Sequence, residues 1–349
     1  MSDKRRKVKR IQLLIPFSAS RGGAESLYQL AHTLNTLEQN VEIVYTLDWR
    51  SSLRGRSPLI PPSMLKYTRN LKISENLSDE IGTVVIIPEI FTGYIRNIKK
   101  ALVTIYWLSV DNYFVGYRNF KSGIGGFIRT TSLISTYAHP HFKMPMSLGE
   151  IGGRDFIHLA QSDYSQKFLQ VALGKPSLKL CDYISNIPAF NESFFNLLLR
   201  ENTILYNPVK GKKTTQYLLE NWESSFIPIP IENMTHEEVR KMLLRAAIYI
   251  DFGEHPGRDR IPREALLCGC CLISGIRGSA AFSDVPISWQ FKLAEDIHLL
   301  QRFKDSLDFL SKENDCKNIY AEAYGVVHGD YESHKVGAVK FIEALNLRS

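Results

Sequence analysis

Ile11-Gln-Leu-Leu-Ile-Pro-Phe-Ser-Ala-Ser-Arg-Gly-Gly-Ala-Glu-Ser26 joins an apolar run of strand length to a Ser/Gly-rich break. Leu27, Leu30, Ala31, Leu34 and Leu37 then recur at helical spacing, and Val41 to Leu47 returns to a strand-like run. Strand, loop, helix and strand in that order form the unit from which parallel sheets are wound.

Working outward, the runs Thr83 to Ile87 and Ala101 to Leu108 extend the same sheet, and Phe156 to Ala160 closes it. Gly116 to Arg154 has no clear period and reads as a long loop of the kind that is functional or mobile. A second alternating series starts with a strand at Thr203 to Tyr206 and another at Phe226 to Ile231. Thr235 and Glu238 form a capping box before a helix carrying Val239, Met242, Leu243 and Ala246. Ala247 to Phe252 is a strand, Pro262 to Leu267 a short helix ending at Gly269, Cys271 to Ser274 a strand, and Ala294 to Leu310 a long amphipathic helix. Two α/β lobes follow, with a boundary near residues 190 to 202.

Length and composition agree. The 349 residues are 44% apolar, 23% charged and 11% aromatic, which suits a globular chain of about two domains. No apolar run approaches the roughly 20 residues of a membrane helix. The formal charge is +7, of which +5 falls in the first ten residues around Lys4, Arg5, Arg6, Lys7, Lys9 and Arg10. A charge so local, with no recognition motif beside it, argues against a nucleic-acid partner. The tail reads either as a solvated segment or as a patch for anionic lipid. The apolar run after it is too short and lacks a cleavage pattern for a signal peptide. Five cysteines, three of them Cys268, Cys270 and Cys271, have neither disulfide-framework nor zinc spacing and read as buried packing in a reducing cytoplasm.

Ligands of open parallel sheets bind where loops leave the carboxyl ends of strands. Two such loops carry chemistry. In Arg21-Gly22-Gly23-Ala24-Glu25-Ser26 the paired glycines and the helix start suit a diphosphate, though a tight turn explains them as well, and the spacing fits neither a dinucleotide fingerprint nor a P-loop. Asp251-Phe-Gly-Glu-His-Pro-Gly-Arg-Asp-Arg-Ile-Pro-Arg-Glu264 packs His255, Arg258, Arg260 and Arg263 among acids. Arginine's planar fork holds phosphate oxygens and a carboxylate accepts from a ribose diol; an internal Arg–Asp network is the alternative.

Gly22-Gly23-Ala24-Glu25, together with Pro-Arg-Glu264-Ala running into Cys-Gly269-Cys-Cys-Leu-Ile-Ser, resembles the GT-B-fold glycosyltransferases called family four, over most of the chain. Tyr206-Asn-Pro-Val-Lys-Gly211 sits at the start of the second lobe, and Gly278-Ser279-Ala280 at a second glycine-rich turn. His255 to Glu264, with Asp284-Val-Pro-Ile287, is similar to a branch associated with bacterial surface polysaccharides. The resemblance implies two Rossmann-like lobes with parallel sheets facing a central cleft: an acceptor-side lobe at residues 1–195, including the basic tail 1–10, and a nucleotide-sugar lobe at 196–330. The helix 331–349 is expected to return to the first lobe. The implied reaction transfers a sugar from a nucleotide-sugar donor to a glycan or lipid-linked acceptor, with retention, no bound metal and no cofactor, in the cytoplasm or peripherally at the inner face of the membrane.

In that family two glutamates separated by seven residues flank the donor sugar. Glu264 matches the second, which binds ribose; the first position holds Pro256, so Glu254 or His255 would have to substitute. Lys210 would neutralise the diphosphate, unless it belongs to a solvated run with Lys212 and Lys213, while Gly22, Gly23, Gly278 and Ser279 would donate to it. The sequence contains no Asp-x-Asp metal clamp, so Arg258, Arg260 and Lys210 would stabilise charge growing on the leaving oxygen.

On the first lobe, Asp111 ends an apolar strand at Trp107-Leu-Ser-Val-Asp111 and suits a general base, an acceptor anchor or merely a cap. His139 and His141 are further candidates. Tyr117, Arg118, Phe120, Lys121, Phe127 and Arg129 suit a lipid-linked acceptor at a membrane surface. An epimerase, a glycan phosphorylase or a donor-binding protein without catalysis would share the fold.

Overall fold

The computed structural model describes residues 7–16, 22–46, 60–121, 143–189, 191, 193–222, 225–313 and 316–348. Lys4 to Arg6, Arg21, Phe127, Arg129, His139 and His141 lie outside the described residues, as do the side chains of Tyr117, Arg118, Phe120 and Lys121. The chain divides into two compact units, Met1–Asp182 with Glu332–Ser349, and Tyr183–Tyr331.

The first unit runs β1 (Arg10–Ile15), α1 (Gly22–Thr36), β2 (Val41–Tyr45), α2 (Leu65–Thr68), β3 (Lys72–Ser74), β4 (Thr83–Pro88) and β5 (Leu102–Trp107). It continues with α3 (Val110–Lys121), α4 (Leu148–Gly152), β6 (Ile157–Ala160), α5 (Asp163–Leu173) and β7 (Leu178–Lys179). The strands form one parallel sheet in the order β3-β2-β1-β4-β5-β6-β7. Leu13 sits between Ile43 and Ile86, and β4 is buried along its length, as a sheet covered on both faces requires.

Two strands were not visible as apolar runs. Lys72-Ile-Ser74 is a short, largely exposed edge, and the two-residue β7 lies outside β6, so Phe156 to Ala160 does not close the sheet. The segment read as a loop from Gly116 is helical as far as Lys121. Ser147 and Glu150 then form a capping box at α4.

The second unit runs β8 (Glu201–Tyr206), α6 (Lys212–Glu220), β9 (Ile227–Pro230), α7 (His236–Leu243), β10 (Ala246–Asp251), α8 (Arg260–Leu267) and β11 (Cys271–Ser274). After it come α9 (Leu299–Lys312), α10 (Lys317–His328) and α11 (Asp330–Arg348), whose residues from Glu332 onward belong to the first unit. Its parallel sheet has the order β11-β10-β8-β9. The Thr235–Glu238 capping box is present.

The helix read from Ala294 begins only at Leu299. Residues 292–293 instead lie along β11, where Leu293 donates its N–H to the Ser274 carbonyl at 2.8 Å, and Ile297 is 92% exposed. Pairing to a strand therefore outweighs the local helical period.

All five cysteines are free and buried; Cys268, Cys270, Cys271 and Cys316 belong to the core of the second unit. In the first unit, buried His334 of α11 donates from Nδ1 to the Cys181 carbonyl at 2.6 Å and accepts at Nε2 from the Thr33 hydroxyl at 3.0 Å. Arg348 pairs with Asp155 at 3.0 Å. Among the described residues no helix is long and apolar enough to cross a membrane.

Candidate functional site

Both sheets reverse their winding direction once. In the second unit the chain leaves β8 toward β9 on one side and returns to β10 on the other, so the loops after β8 and β10 diverge from neighbouring strand ends. A crevice between such loops is where open α/β sheets take ligands.

The loop after β8 carries Lys210 and Gly211, and the loop after β10 carries Glu254, His255 and Asp259. The two are in close contact. Gly211 has φ +63°, and a Cβ there would stand 2.2 Å from the Phe252 carbonyl oxygen. Gly278, in the loop after β11, has φ +55°, and a Cβ would meet the His255 carbonyl oxygen at 2.1 Å. No other residue type fits either place.

On this frame the charges alternate. Lys210 Nζ, its side chain 43% exposed, bonds Asp259 Oδ2 at 2.6 Å and so bridges the loop after β8 to the loop after β10. His255 is fully buried, with Nδ1 3.3 Å from Asp259 Oδ2 and Nε2 3.5 Å from Asp251 Oδ1. Asp251 also accepts from the Tyr249 hydroxyl at 2.9 Å and the Gly253 N–H at 2.9 Å. Burial opposes a charge on His255, but Asp259 and Asp251 outweigh it and raise the imidazole above its ordinary value. Burial likewise opposes the charge on Asp259, and His255 and Lys210 hold that carboxyl low.

The sequence candidates divide sharply here. His255 is turned inward, whereas the neighbouring Glu254 side chain is 71% exposed and pairs with Arg277 at 2.7 Å. Arg258 is buried, with Nη2 2.8 Å from Asp330 Oδ1 and Nε 3.7 Å from Asp284 Oδ1; Arg263 reaches Asp330 Oδ2 at 3.2 Å. The internal Arg–Asp network left open by the sequence is thus present around these two arginines. Arg260 and Glu264 are half-buried on successive turns of α8, 3.5 Å apart. Ser279 is buried, donating its hydroxyl to the Gly257 carbonyl at 2.6 Å and its N–H to that of His255 at 2.8 Å.

The first sheet reverses between β1 and β4. Gly22 and Gly23 begin α1 after β1, and a Cβ on Gly23 would lie 3.7 Å from Leu108 at the end of β5. Beside them stands Glu89, directly after β4 and 2% exposed, with Oε2 accepting the Leu108 N–H at 2.9 Å. Burial pushes its carboxyl up to about 8, against the pull of the N–H groups of Leu108, Glu89 and Ser109. Asp111, in the first turn of α3, accepts from the Tyr164 hydroxyl at 2.8 Å.

Sequence reasoning passed over Glu89, Asp259, Arg277 and Glu295. A charged residue directly after an apolar strand was the available signal for Glu89. Arg277 and Glu295 belong to no spacing motif, because they meet across 18 residues through the pairing of residue 292 with β11.

No family profile matches the chain, and no curated protein matches it in sequence. Solved structures do match it. HepE of Anabaena in complex with UDP has a TM-score of 0.59 at 10% identity, over 96% of this chain and all of its own, and HepE was also solved with UDP-glucose. A glycosyltransferase from Rickettsia africae has a TM-score of 0.54 at 10% identity, over 97% of this chain and 98% of that one. The N-terminal domain of Candida albicans trehalose-6-phosphate phosphatase has a TM-score of 0.56 at 12% identity, over 100% and 99%. At these identities the likeness is one of fold: α/β, with two parallel sheets, of the GT-B type.

Proposed function

We propose that this chain is a glycosyltransferase that takes a sugar from a nucleoside-diphosphate sugar held by the second unit and passes it to a glycan or lipid-linked acceptor at the first, in surface polysaccharide synthesis. The observation that carries the reading is the meeting of the loops that follow β8, β10 and β11, which brings an exposed lysine, a half-buried Arg–Glu pair and two glycine-dependent contacts to the carboxyl ends of the strands.

The roles follow from exposure. Lys210, released from Asp259, neutralises the diphosphate, and Arg260 adds a second cation at the start of α8. Glu264 accepts from the ribose diol. Glu254, the outward-facing acid, accepts from a hydroxyl of the sugar. Arg258, Arg263 and buried His255 brace the loops that carry these groups. As the anomeric bond breaks, charge grows on the leaving phosphate oxygen, and fixed cations stabilise it without reorganisation. On this reading a divalent ion is not required, and transfer retains configuration.

At the first unit the acceptor hydroxyl meets the edge formed by Gly22, Gly23, Glu89 and Asp111. HepE's ligands make UDP and UDP-glucose the first probes. The test is a thermal-shift screen of nucleosides, nucleoside mono- and diphosphates and their sugars. A ligand selective for the folded state raises stability by about 2.7 kcal/mol at a hundredfold excess over Kd. Stabilisation by one diphosphate and its sugar conjugate, but not by the nucleoside, and undiminished by a chelator, is the expected result. Stabilisation only with a divalent ion present would remove the metal-free part of the proposal.

A further inference from the structure

Arg277 precedes Gly278 in the loop after β11 and reaches two acids from other loops. Its Nη1 lies 2.7 Å from Glu254 Oε1, while Nε and Nη2 each lie 2.7 Å from a carboxylate oxygen of Glu295. Glu295 also accepts from the Thr214 hydroxyl on α6. One guanidinium thus ties together the strand ends of β10 and β11 and the helix that follows β8.

Charge decides what this arrangement does. Arg277 is half-exposed at 42%, as Lys210 is at 43%, but Lys210 faces one carboxylate and Arg277 two. A guanidinium whose fork is already taken on both sides by carboxylates carries a net negative neighbourhood, and that repels a diphosphate. Its planar geometry instead fixes direction. Glu254 is 71% exposed, and as an isolated glutamate it would sample many rotamers. The backbone beneath it is already fixed, since Ser279 N–H bonds the His255 carbonyl at 2.8 Å and Gly278 packs against the same oxygen. Only the side chain of Glu254 is left to hold, and Arg277 holds it.

We propose that Arg277, anchored by Glu295 and Thr214, is a positioning residue for the donor sugar: it sets the direction from which Glu254 accepts a sugar hydroxyl. This rests on the nucleotide-sugar reading above and deepens it. Arg277 acts on the sugar half of the donor and not on the nucleotide half.

The experiment compares wild type, Arg277→Gln, Arg277→Lys, Glu254→Gln and the Arg277→Gln/Glu254→Gln double variant. Calorimetry measures binding of UDP and UDP-glucose and, where the uridine pair does not bind, the GDP, ADP and dTDP pairs. Slow hydrolysis of the bound sugar donor supplies kcat and KM. Arg277→Gln is expected to bind the free diphosphate within about threefold of wild type and to lose tenfold or more in kcat/KM. Glu254→Gln should lose as much, and the double variant no more than either, because both remove one interaction. Lysine, lacking the fork, should not restore the loss. Melting temperatures should fall by no more than several degrees, because Arg277 and Glu254 are 42% and 71% exposed and the part-buried Glu295 keeps the Thr214 hydroxyl.

Three results overturn the assignment alone: a tenfold weaker hold on the free diphosphate in Arg277→Gln, unchanged hydrolysis of a donor that the wild type binds, or additive losses in the double variant. A wild-type protein that binds none of the four diphosphates or their sugars overturns the nucleotide-sugar reading, and this assignment with it.

Discussion

The two sheet edges are made of different materials. At the second, Lys210, Asp259, His255 and Asp251 form a chain of alternating charge, with Arg277, Glu254 and Glu295 beside it. At the first, the central group is Glu89, a carboxyl that burial keeps protonated at neutral pH and that accepts the Leu108 N–H. In the same unit, buried Gln161 donates to the hydroxyl of buried Ser26 on α1 at 2.9 Å. On the proposed reading a dianionic diphosphate goes to the charged edge of the second sheet, where cations are already ordered. On the same reading a neutral hydroxyl acceptor goes to the edge of the first sheet, beside Glu89 and Asp111. The same winding rule therefore yields two strand ends of different chemistry, and the role proposed for each can be tested by what it should not do.

The largest effect should come from the foundation of the charged edge. Arg263 is fully buried, with Nη1 on Asp330 at 3.2 Å and Nη2 donating to the Arg258 carbonyl at 3.2 Å. Arg263→Ala leaves Asp330 with one fewer cation in a dry setting, and breaking a buried pair from one side costs about 3–5 kcal/mol. Urea unfolding of the full chain should show that loss. A change below about 1 kcal/mol would mean that the charged edge does not depend on its buried arginines.

Glu89 provides the next effect, through pH. Its carboxyl is raised in the folded protein to about 8 from an ordinary 4.5, so the folded state binds the extra proton between those values. The stability it supports is complete below the lower value and falls as pH rises toward the upper, by about 1.4 kcal/mol per unit at most. Denaturation of wild type at pH 5, 6.5 and 8 should show this fall on top of other titrations. Glu89→Gln keeps an oxygen for the Leu108 N–H and removes the ionisation, so the difference between the two proteins should grow with pH. Parallel profiles would mean that Glu89 is ionised in the fold, and the two edges would no longer differ in this respect.

How much of this was legible beforehand follows from where the information lies. Central strands such as β4 and β10 are buried on both faces, so their sequences are unbroken apolar runs and were read correctly. Lys72-Ile-Ser74 carries no such run because an edge strand is solvated, and Ala294 to His298 looked helical because the period does not reveal that the preceding residues pair with β11. Similarly, the sequence placed His255 and Glu254 side by side as candidates but could not say which faces out; that depends on Asp251 and Asp259 closing over the imidazole from both sides. Arg277 and Glu295 were invisible for the same reason, since their meeting is a property of loop packing.

A smaller effect should separate binding from folding at the charged edge. Glu264 is half-buried and 3.5 Å from Arg260, which keeps 18% of its side chain exposed, so its removal costs far less stability than breaking the fully buried Arg263 pair. A charge-assisted hydrogen bond is worth about 1.5–3 kcal/mol. Glu264→Ala should therefore weaken nucleoside-diphosphate binding by roughly tenfold to a hundredfold, with unfolding nearly unchanged. Binding equal to wild type would end the ribose role.

The smallest effect is expected at the edge of the first sheet and tests the separation of the two. Tyr164 donates to Asp111 at 2.8 Å, and burial together with that carboxylate pushes its phenol up to about 12, so it stays a donor throughout the neutral range. Tyr164→Phe removes one partly exposed hydrogen bond, for about 1 kcal/mol of stability. It takes that hydrogen bond away from Asp111, which should change the dependence of transfer on acceptor concentration while leaving the free diphosphate bound as tightly as before. If diphosphate binding weakens with it, the two edges do not work as separate donor and acceptor sites, and the assignment of one substrate to each unit fails.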